Sequence, residues 1–296
     1  MIAIRAAVGR LLQIPRVNFV ITNRLPRRQL TLFMAWFSKI EQPLVRSVSI
    51  ALWKFFADVD LSDARQQRFS SLHECFIREL QQGARPVDER VDVLTSPCDA
   101  LVGARGTVRN GLVLQAKGRP YTVAELLGDP LLAHHYEGGS YITLRLTAGM
   151  YHRFHAPADC RIEQVGYVPG DTWNVNPATL QRLDRVYCRN ERAIIRCRTG
   201  QDELLTLVPV AAILVASIRL HCLDTRLHLR YQGPQQFLPD RAVRKGQELG
   251  WFEHGSTLVM FVPRGFALAG ALVEGPALRM GEPLFQRLTQ ERAGPS

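Results

Sequence analysis

The stretch Trp251-Phe-Glu-His-Gly-Ser-Thr-Leu-Val-Met-Phe-Val262 joins a tight turn to an apolar run. The second half, Thr257–Val262, is rich in β-branched and large apolar residues and predicts a strand. Gly250 and Gly255 bracket residues 251–254, a pattern typical of a strand with tight ends. This segment therefore predicts that the C-terminal part of the chain is built from short strands joined by glycine turns.

The same pattern recurs from about residue 91 onward, where short apolar runs alternate with Gly, Pro, Asp and Asn. One helix is predicted at Val123–Leu127, capped by Thr122. So many short strands indicate a mostly antiparallel β-core, either a barrel or a sandwich. The other predicted strands span residues 101–108, 112–115, 141–146, 160–168, 192–198, 204–215 and 227–231.

The first 80 residues have a helical pattern instead. After Pro43, the residues Leu44, Val48 and Leu52 recur at helical spacing, and a further helix is predicted over residues 71–80. We therefore predict an α+β fold, with a helical region at 1–85 and a β-rich domain at 86–296.

The N-terminal region is also basic. Only four of the 37 basic residues of the chain are Lys, the formal net charge is +10, and no acidic residue precedes Glu41. Basic residues interleaved with aromatic and aliphatic ones suit a membrane interface, whereas a nucleic-acid-binding arm is usually more polar. Two other readings stay open, namely a general bias toward Arg and helices that simply pack on the core.

Composition excludes several classes of protein. No apolar run reaches the length of about 18 residues that a membrane-spanning helix needs. The N-terminus lacks the features of a secretory signal. The six cysteines form no C-x-x-C pair, which favours a reducing compartment in which they fill the core.

Three short segments carry reactive side chains. A Ser on a tight Gly turn before a strand, as at Gly255-Ser256, can attack the carbonyl that precedes it, although Gly-Ser-Thr is also frequent in ordinary loops. His152 and His155 lie three apart and could be structural, metal ligands or a general base, with no third metal ligand evident. Asp99, at a turn before a strand, could orient a histidine.

Taken in order, the segments resemble the phosphatidylserine decarboxylase proenzymes, over about residues 69–285. The matching pieces are Phe76-Ile-Arg-Glu-Leu, Ala84-Arg-Pro-Val-Asp, Ser96-Pro-Cys-Asp99, Leu114-Gln-Ala-Lys-Gly-Arg-Pro-Tyr, Tyr151-His-Arg-Phe-His-Ala-Pro, Tyr167-Val-Pro-Gly-Asp, Asn174-Val-Asn, Arg189-Asn-Glu-Arg, Val215-Ala-Ser-Ile, Lys245-Gly-Gln-Glu-Leu-Gly-Trp-Phe and Gly255-Ser-Thr.

The resemblance implies a self-cleavage triad of Asp99, His155 and Ser256. Cutting between Gly255 and Ser256 would give a large chain, 1–255, and a small chain, 256–296, whose Ser256 becomes a covalent pyruvoyl group. That group would form a Schiff base with phosphatidylserine, and loss of CO2 would give phosphatidylethanolamine. His152 would donate a proton to the product or contact the substrate, and no metal is expected.

The resemblance also implies a setting for this chemistry. We expect a peripheral protein on the cytoplasmic face of a bacterial inner membrane, bound through its N-terminal region, with processed pairs associating as a homodimer. The chain departs from the family pattern at Ala100, Met150 and His254, where Gly, an acidic residue and Leu are usual. Two alternatives remain: a phospholipid-binding relative without activity, and a serine hydrolase that uses Asp99, His155 and Ser256.

Overall fold

A computed structural model describes residues 19, 25–57, 59–116, 118–214, 217–253, 257–270 and 272–288. The helices with described bounds are α1 Arg27–Phe37, α2 Pro43–Ala57, α3 Leu72–Phe76, α4 Val123–Leu127, α5 Pro130–His135, α6 Pro177–Leu180 and α7 Val186–Arg189. The strands are β1 Val93–Thr95, β2 Ala100–Thr107, β3 Leu112–Ala116, β4 Arg119–Thr122, β5 Ser140–Arg145, β6 Arg153–His155, β7 Cys160–Val168, β8 Arg192–Thr199, β9 Leu204–Val210, β10 Ile218–Leu220, β11 Arg226–Leu227, β12 Gln236–Phe237, β13 Arg241–Val243, β14 Glu248–Phe252, β15 Thr257–Val262, β16 Phe266–Leu268, β17 Ala277–Leu278 and β18 Pro283–Arg287.

The largest sheet runs in the order β12-β7-β8-β9-β15-β5-β2-β17, with β13 also paired to β7. Strand β15 lies at its centre, antiparallel to β9 and to β5. Every residue of β15 is buried, because Leu258 and Met260 face one core while Val259 and Phe261 face another. A central strand covered on both faces reads as a continuous apolar run, which is why the sequence predicted β15 with its correct ends.

A second sheet, in the order β11-β10-β14-β6, packs against the first. Their shared core contains residues of both, such as Leu144 and Leu258 from the large sheet and Phe154 and Phe252 from the small one. Smaller sheets join β1-β18-β16 and β3-β4. The predicted antiparallel core is confirmed, and of the two predicted forms the barrel is wrong, because no sheet of the described residues closes on itself.

Helix α4 and its Thr122 cap are confirmed, since the Thr122 side chain accepts a hydrogen bond from the Glu125 amide. Two other elements are shorter in the structure than predicted. The helix predicted over residues 71–80 ends at Phe76, because Leu80 forms an isolated bridge with Ala64. Strand β9 ends at Val210 instead of 215, and the chain then passes through a positive φ of 67° at Leu214.

Gly250 lies inside strand β14 and does not end it. A Cβ atom at this position would lie 1.9 Å from the Arg219 carbonyl oxygen of the paired strand. Only glycine allows this approach. Strands β6 and β10 were not predicted because each has only three residues and contains Arg.

Helices α1 and α2 form the described part of the N-terminal region. Thr31 of α1 accepts a hydrogen bond from the Leu214 amide, and Arg27 pairs with Asp171 at 2.6 Å while lying over the Trp173 ring. Helix α1 is therefore tied to the β-core. Among the described residues we find no helix whose length and apolar character would let it span a bilayer. The predicted division at residues 85 and 86 stays a prediction.

Candidate active site

Two crossings join the largest sheet to the second sheet, and a third crossing enters the largest sheet beside them. Residues 146–152 join β5 to β6, and residues 253–256 join β14 to β15. These two crossings have hydrogen-bonded ends, because Thr257 pairs with Arg145 at one end and the Phe252 amide donates to the His152 carbonyl at the other. The described ends of these two crossings are therefore next to each other.

The third crossing, residues 96–99, joins β1 of the β1-β18-β16 sheet to β2 of the largest sheet. The Pro97 carbonyl accepts from the His155 amide at 2.7 Å, and Leu101 pairs with Arg145. Asp99 lies between these two anchor points. Asp99 and His155, which are far apart in the sequence, are thus brought close together, and the second crossing, residues 253–256, contains Ser256.

His254, Gly255 and Ser256 lie outside the described residues. The chain is described up to Glu253 and again from Thr257, the first residue of β15. Because consecutive Cα atoms are 3.8 Å apart, the covalent chain ties Ser256 to this end of β15.

His155 is buried, with 7 % of its surface exposed. Its Nδ1 lies 2.9 Å from the Gly246 carbonyl oxygen and its Nε2 lies 3.0 Å from the Tyr151 hydroxyl. A carbonyl can only accept, so Nδ1 carries the proton and Nε2 accepts one from Tyr151. Burial lowers the pKa of His155, opposed by its bond to Gly246 and by the charge of Glu248. The ring is therefore neutral at neutral pH and can act as a base.

Asp99 does not hydrogen-bond to His155 in this form of the chain. Its carboxylate accepts from the Arg85 guanidinium, with contacts of 2.6–3.0 Å, and from the Met280 amide at 2.9 Å. Arg85 also pairs with Asp63 at 2.7 Å. Asp99 remains close enough to His155 for its charge to raise the pKa of that ring slightly. Its role in a triad stays a prediction.

His152 is fully buried and stacks on Phe76, with ring centroids 4.0 Å apart. Phe76 in turn lines a cavity of about 400 Å³. His152 therefore lies behind the cavity wall, one ring away from its interior. Among the described residues, no three His, Cys, Asp or Glu side chains are grouped so as to hold a metal ion.

The cavity lies beside the end of β5, and neither Asp99 nor His155 is among the residues that line it. Arg145, which pairs with Thr257, lines it together with Thr147 from the crossing that follows β5. The rest of the wall comes from the helices and from loops of the β-core, and it consists of Met34, Trp53, Leu72, Phe76, Leu146, Ala148, Asn174, Val175, Asn176, Ala212, Ile213 and Leu214. A mostly apolar cavity with a few polar groups is the usual form of a binding site for a small molecule or lipid headgroup.

Comparisons with known proteins show the family of the chain. A model of the family described as phosphatidylserine decarboxylase matches residues 72–286. The chain belongs to the phosphatidylserine decarboxylase family. It is 32 % identical over 278 residues to the phosphatidylserine decarboxylase proenzyme of Photobacterium profundum, covering 90 % of this chain and 95 % of the relative. It is also 32 % identical to the proenzymes of Vibrio cholerae, covering 88 % of this chain and 94 % of the relative, and of Yersinia enterocolitica, covering 88 % and 93 %.

Two departures from the pattern of the decarboxylase family can now be placed. Ala100 opens strand β2 and is not among the residues with positive φ, so the alanine strains no turn there. Met150 is half-buried, and its sulfur lies 3.4 Å from the Thr147 amide within the crossing that carries Tyr151. His254 is not described.

Sequence reasoning missed three residues of this family member's site. Arg85 lies in a segment quoted for the resemblance, but nothing in the sequence connects it to Asp99. Tyr151 precedes His152 in the same motif, and only the folded backbone brings its hydroxyl within hydrogen-bond distance of His155. Arg145 looks like one more basic residue at a strand end, and its position in the cavity depends on the pairing of β5 with β15.

Proposed function

We propose that this chain is a proenzyme that cuts itself between Gly255 and Ser256 and then converts phosphatidylserine to phosphatidylethanolamine and CO2. The observation that carries the proposal is that the segments of Asp99 and His155 are hydrogen-bonded to each other, and that the Asp99 segment leads into the strands beside Thr257, to which Ser256 is covalently joined. Membership of a proenzyme family supports the same conclusion.

In the cleavage step His155 acts as the base. The Gly246 carbonyl holds the protonated nitrogen Nδ1, so Nε2 can take the proton of the Ser256 hydroxyl once the Tyr151 hydroxyl no longer donates to it. The freed oxygen attacks the Gly255 carbonyl carbon, and the peptide bond between Gly255 and Ser256 is replaced by an ester. Elimination then breaks the ester, and water releases ammonia, leaving a pyruvoyl group at position 256.

The residues around the cavity fit such a group. A pyruvoyl ketone condenses with an amine and accepts the electron pair left when CO2 departs. Here the walls are mainly apolar and exclude water, which strengthens electrostatic interactions inside the cavity. We assign His152 to the substrate side of the site, as a proton donor acting past Phe76 or as a wall of the substrate cavity.

The N-terminal helices supply a route for the lipid. An apolar groove of about 680 Å³ runs between α1 and α2 and shares Met34, Trp53 and Leu72 with the cavity. Large apolar side chains are exposed beside it, among them Trp36 at 64 % and Leu44 at 68 %. Monomeric soluble proteins rarely expose such a patch. We propose that this face lies on an anionic membrane, which we take to be the cytoplasmic face of a bacterial inner membrane, and that acyl chains follow the groove inward.

Intact-mass measurement of the purified protein tests the cleavage directly. We expect a large chain ending at Gly255 and a small chain that begins with a pyruvoyl group. Ser256→Ala should remain a single chain, and His155→Ala should stop or greatly slow the cut. His134→Ala, at an exposed position on α5, is the matched control and should be processed normally.

The same samples separate the alternatives. A single uncut chain in an active preparation would contradict the proposal and favour a serine hydrolase. A single uncut chain that binds phosphatidylserine vesicles without releasing CO2 would favour a relative that only binds lipid. The molar mass of the processed protein in detergent tests the expected homodimer.

A further inference from the structure

The cavity contains one charged side chain among the described residues that line it, namely Arg145. Its guanidinium makes no hydrogen bond or ion pair with any described residue. Two other partly buried arginines are compensated by carboxylates, Arg85 by Asp99 and Arg153 by Glu248. A cation shielded from water is costly unless a negative group compensates it. The missing anion is therefore expected to come from a ligand.

Register places this cation beside the reacting end of β15. Arg145 and Thr257 are directly opposite in the β5–β15 ladder. Side chains at such positions have Cβ atoms about 5 Å apart and project from the same face of the sheet. Residue 256 is joined covalently to Thr257, so a ligand bound through residue 256 is attached one residue away from the Arg145–Thr257 pair.

We propose that Arg145 binds the phosphodiester of the phospholipid headgroup, an inference that rests on the proposed function. Phosphatidylserine brings two anions to the site, its carboxylate and its phosphodiester. The carboxylate loses its charge as CO2 leaves, so a cation bound to it would stabilise the substrate more than the transition state and slow the reaction. The phosphodiester keeps its charge throughout, and it can accept paired hydrogen bonds from the planar guanidinium.

Kinetics with phosphatidylserine in neutral detergent micelles give the first test. Arg145→Met should raise KM by roughly 10- to 100-fold, the value of lost charge-assisted hydrogen bonds, with a much smaller change in kcat. Arg145→Lys should raise KM less than Arg145→Met does, since lysine keeps the positive charge but lacks the paired N–H donors of the guanidinium. The control is Arg161→Met, because Arg161 lies on strand β7 and its guanidinium pairs with Asp240. This variant should leave KM and kcat unchanged. A fall in kcat with unchanged KM for Arg145→Met would overturn the proposal.

Chemical labelling gives a second test that needs no turnover. Phenylglyoxal modification of Arg145 is followed by peptide mass in the Ser256→Ala protein. Phosphatidylethanolamine, which has the phosphodiester and lacks the carboxylate, should protect Arg145 as well as phosphatidylserine does, and diacylglycerol should not protect it. Protection by phosphatidylserine alone would assign the carboxylate, and equal protection by diacylglycerol would mean simple occlusion. Absence of labelling without lipid would mean that the guanidinium does not face the cavity.

The two proposals fail in distinguishable ways. An uncut wild-type chain would refute the cleavage at Ser256 while leaving the labelling of Arg145 interpretable. Normal cleavage in Arg145→Met, together with unchanged KM and no lipid protection, would refute only the role of Arg145.

Discussion

The apolar face of helix α2 is the part of the molecule whose function can be tested most directly. Leu44, Val48 and Leu52 lie on one side of the helix and are 68 %, 49 % and 52 % exposed. Fully burying such a side chain contributes about 1.5–3 kcal/mol. With half to two-thirds of each surface free, the three residues together offer about 3–4 kcal/mol to a membrane. The triple change to Ser should therefore weaken vesicle binding by roughly 100- to 1000-fold.

The assay is co-sedimentation with vesicles that contain phosphatidylserine, at physiological salt. Decarboxylation should fall with binding when the substrate is in vesicles and stay close to that of the parent protein in detergent micelles. Substitution of exposed side chains costs little folding stability, so thermal unfolding should change only slightly. The control replaces Val91, Leu131 and Leu238, which are 86 %, 86 % and 79 % exposed on the β-core, and should bind vesicles normally.

Unchanged vesicle binding by the triple α2 variant would refute the reasoning, because the membrane would then contact another surface. An equal loss of activity in vesicles and in micelles would also count against it, since it would indicate damage to the site and not to docking.

Two further predictions concern buried charges. Burial raises the pKa of Glu191 to about 8, against an ordinary value of 4.5. Between these two values the folded chain holds a proton that the unfolded chain has released. The free energy of unfolding should therefore fall by about 4 kcal/mol between pH 5 and pH 8, and Glu191→Gln should remove this fall. Urea unfolding at both pH values measures it, and identical pH slopes for the two proteins would contradict it. Arg85→Met should destabilise the fold by about 3–5 kcal/mol because it leaves the buried Asp99 unpaired, and adding Asp99→Asn should restore part of that loss. Thermal unfolding of both variants provides the measurement, and a further loss in the double variant would count against the pairing.

Local signals explain which elements were predicted correctly. Strand β15 and helix α4 have the predicted ends because their apolar runs and the Thr122 cap act within a few residues. Strands β6 and β10 were missed for the opposite reason. Each has only three residues and contains Arg, and each is a strand because β14 supplies the other half of the ladder.

The sequence predicted which residues belong to the candidate site better than it predicted the hydrogen bonds between them. Asp99 and His155 were chosen as neighbours, and the fold does bring their segments together through the bond between the His155 amide and the Pro97 carbonyl. Their side chains, however, bond to Arg85 and to Gly246. Gly246 is 91 positions from His155, and no periodicity in a sequence encodes such a distance.

The sequence by itself determined the family, the antiparallel strand pattern, the apolar stripe of α2 and the bond at which cleavage is expected. These properties depend on residue type and spacing along the chain. Only the tertiary structure decided that the segments of Asp99 and His155 lie together near the start of β15, that His155 is buried against the Gly246 carbonyl, and that Arg145 lines the cavity without a hydrogen bond or ion pair to any described residue. Those properties depend on strand register and burial, which are set by how two sheets pack and not by any segment alone.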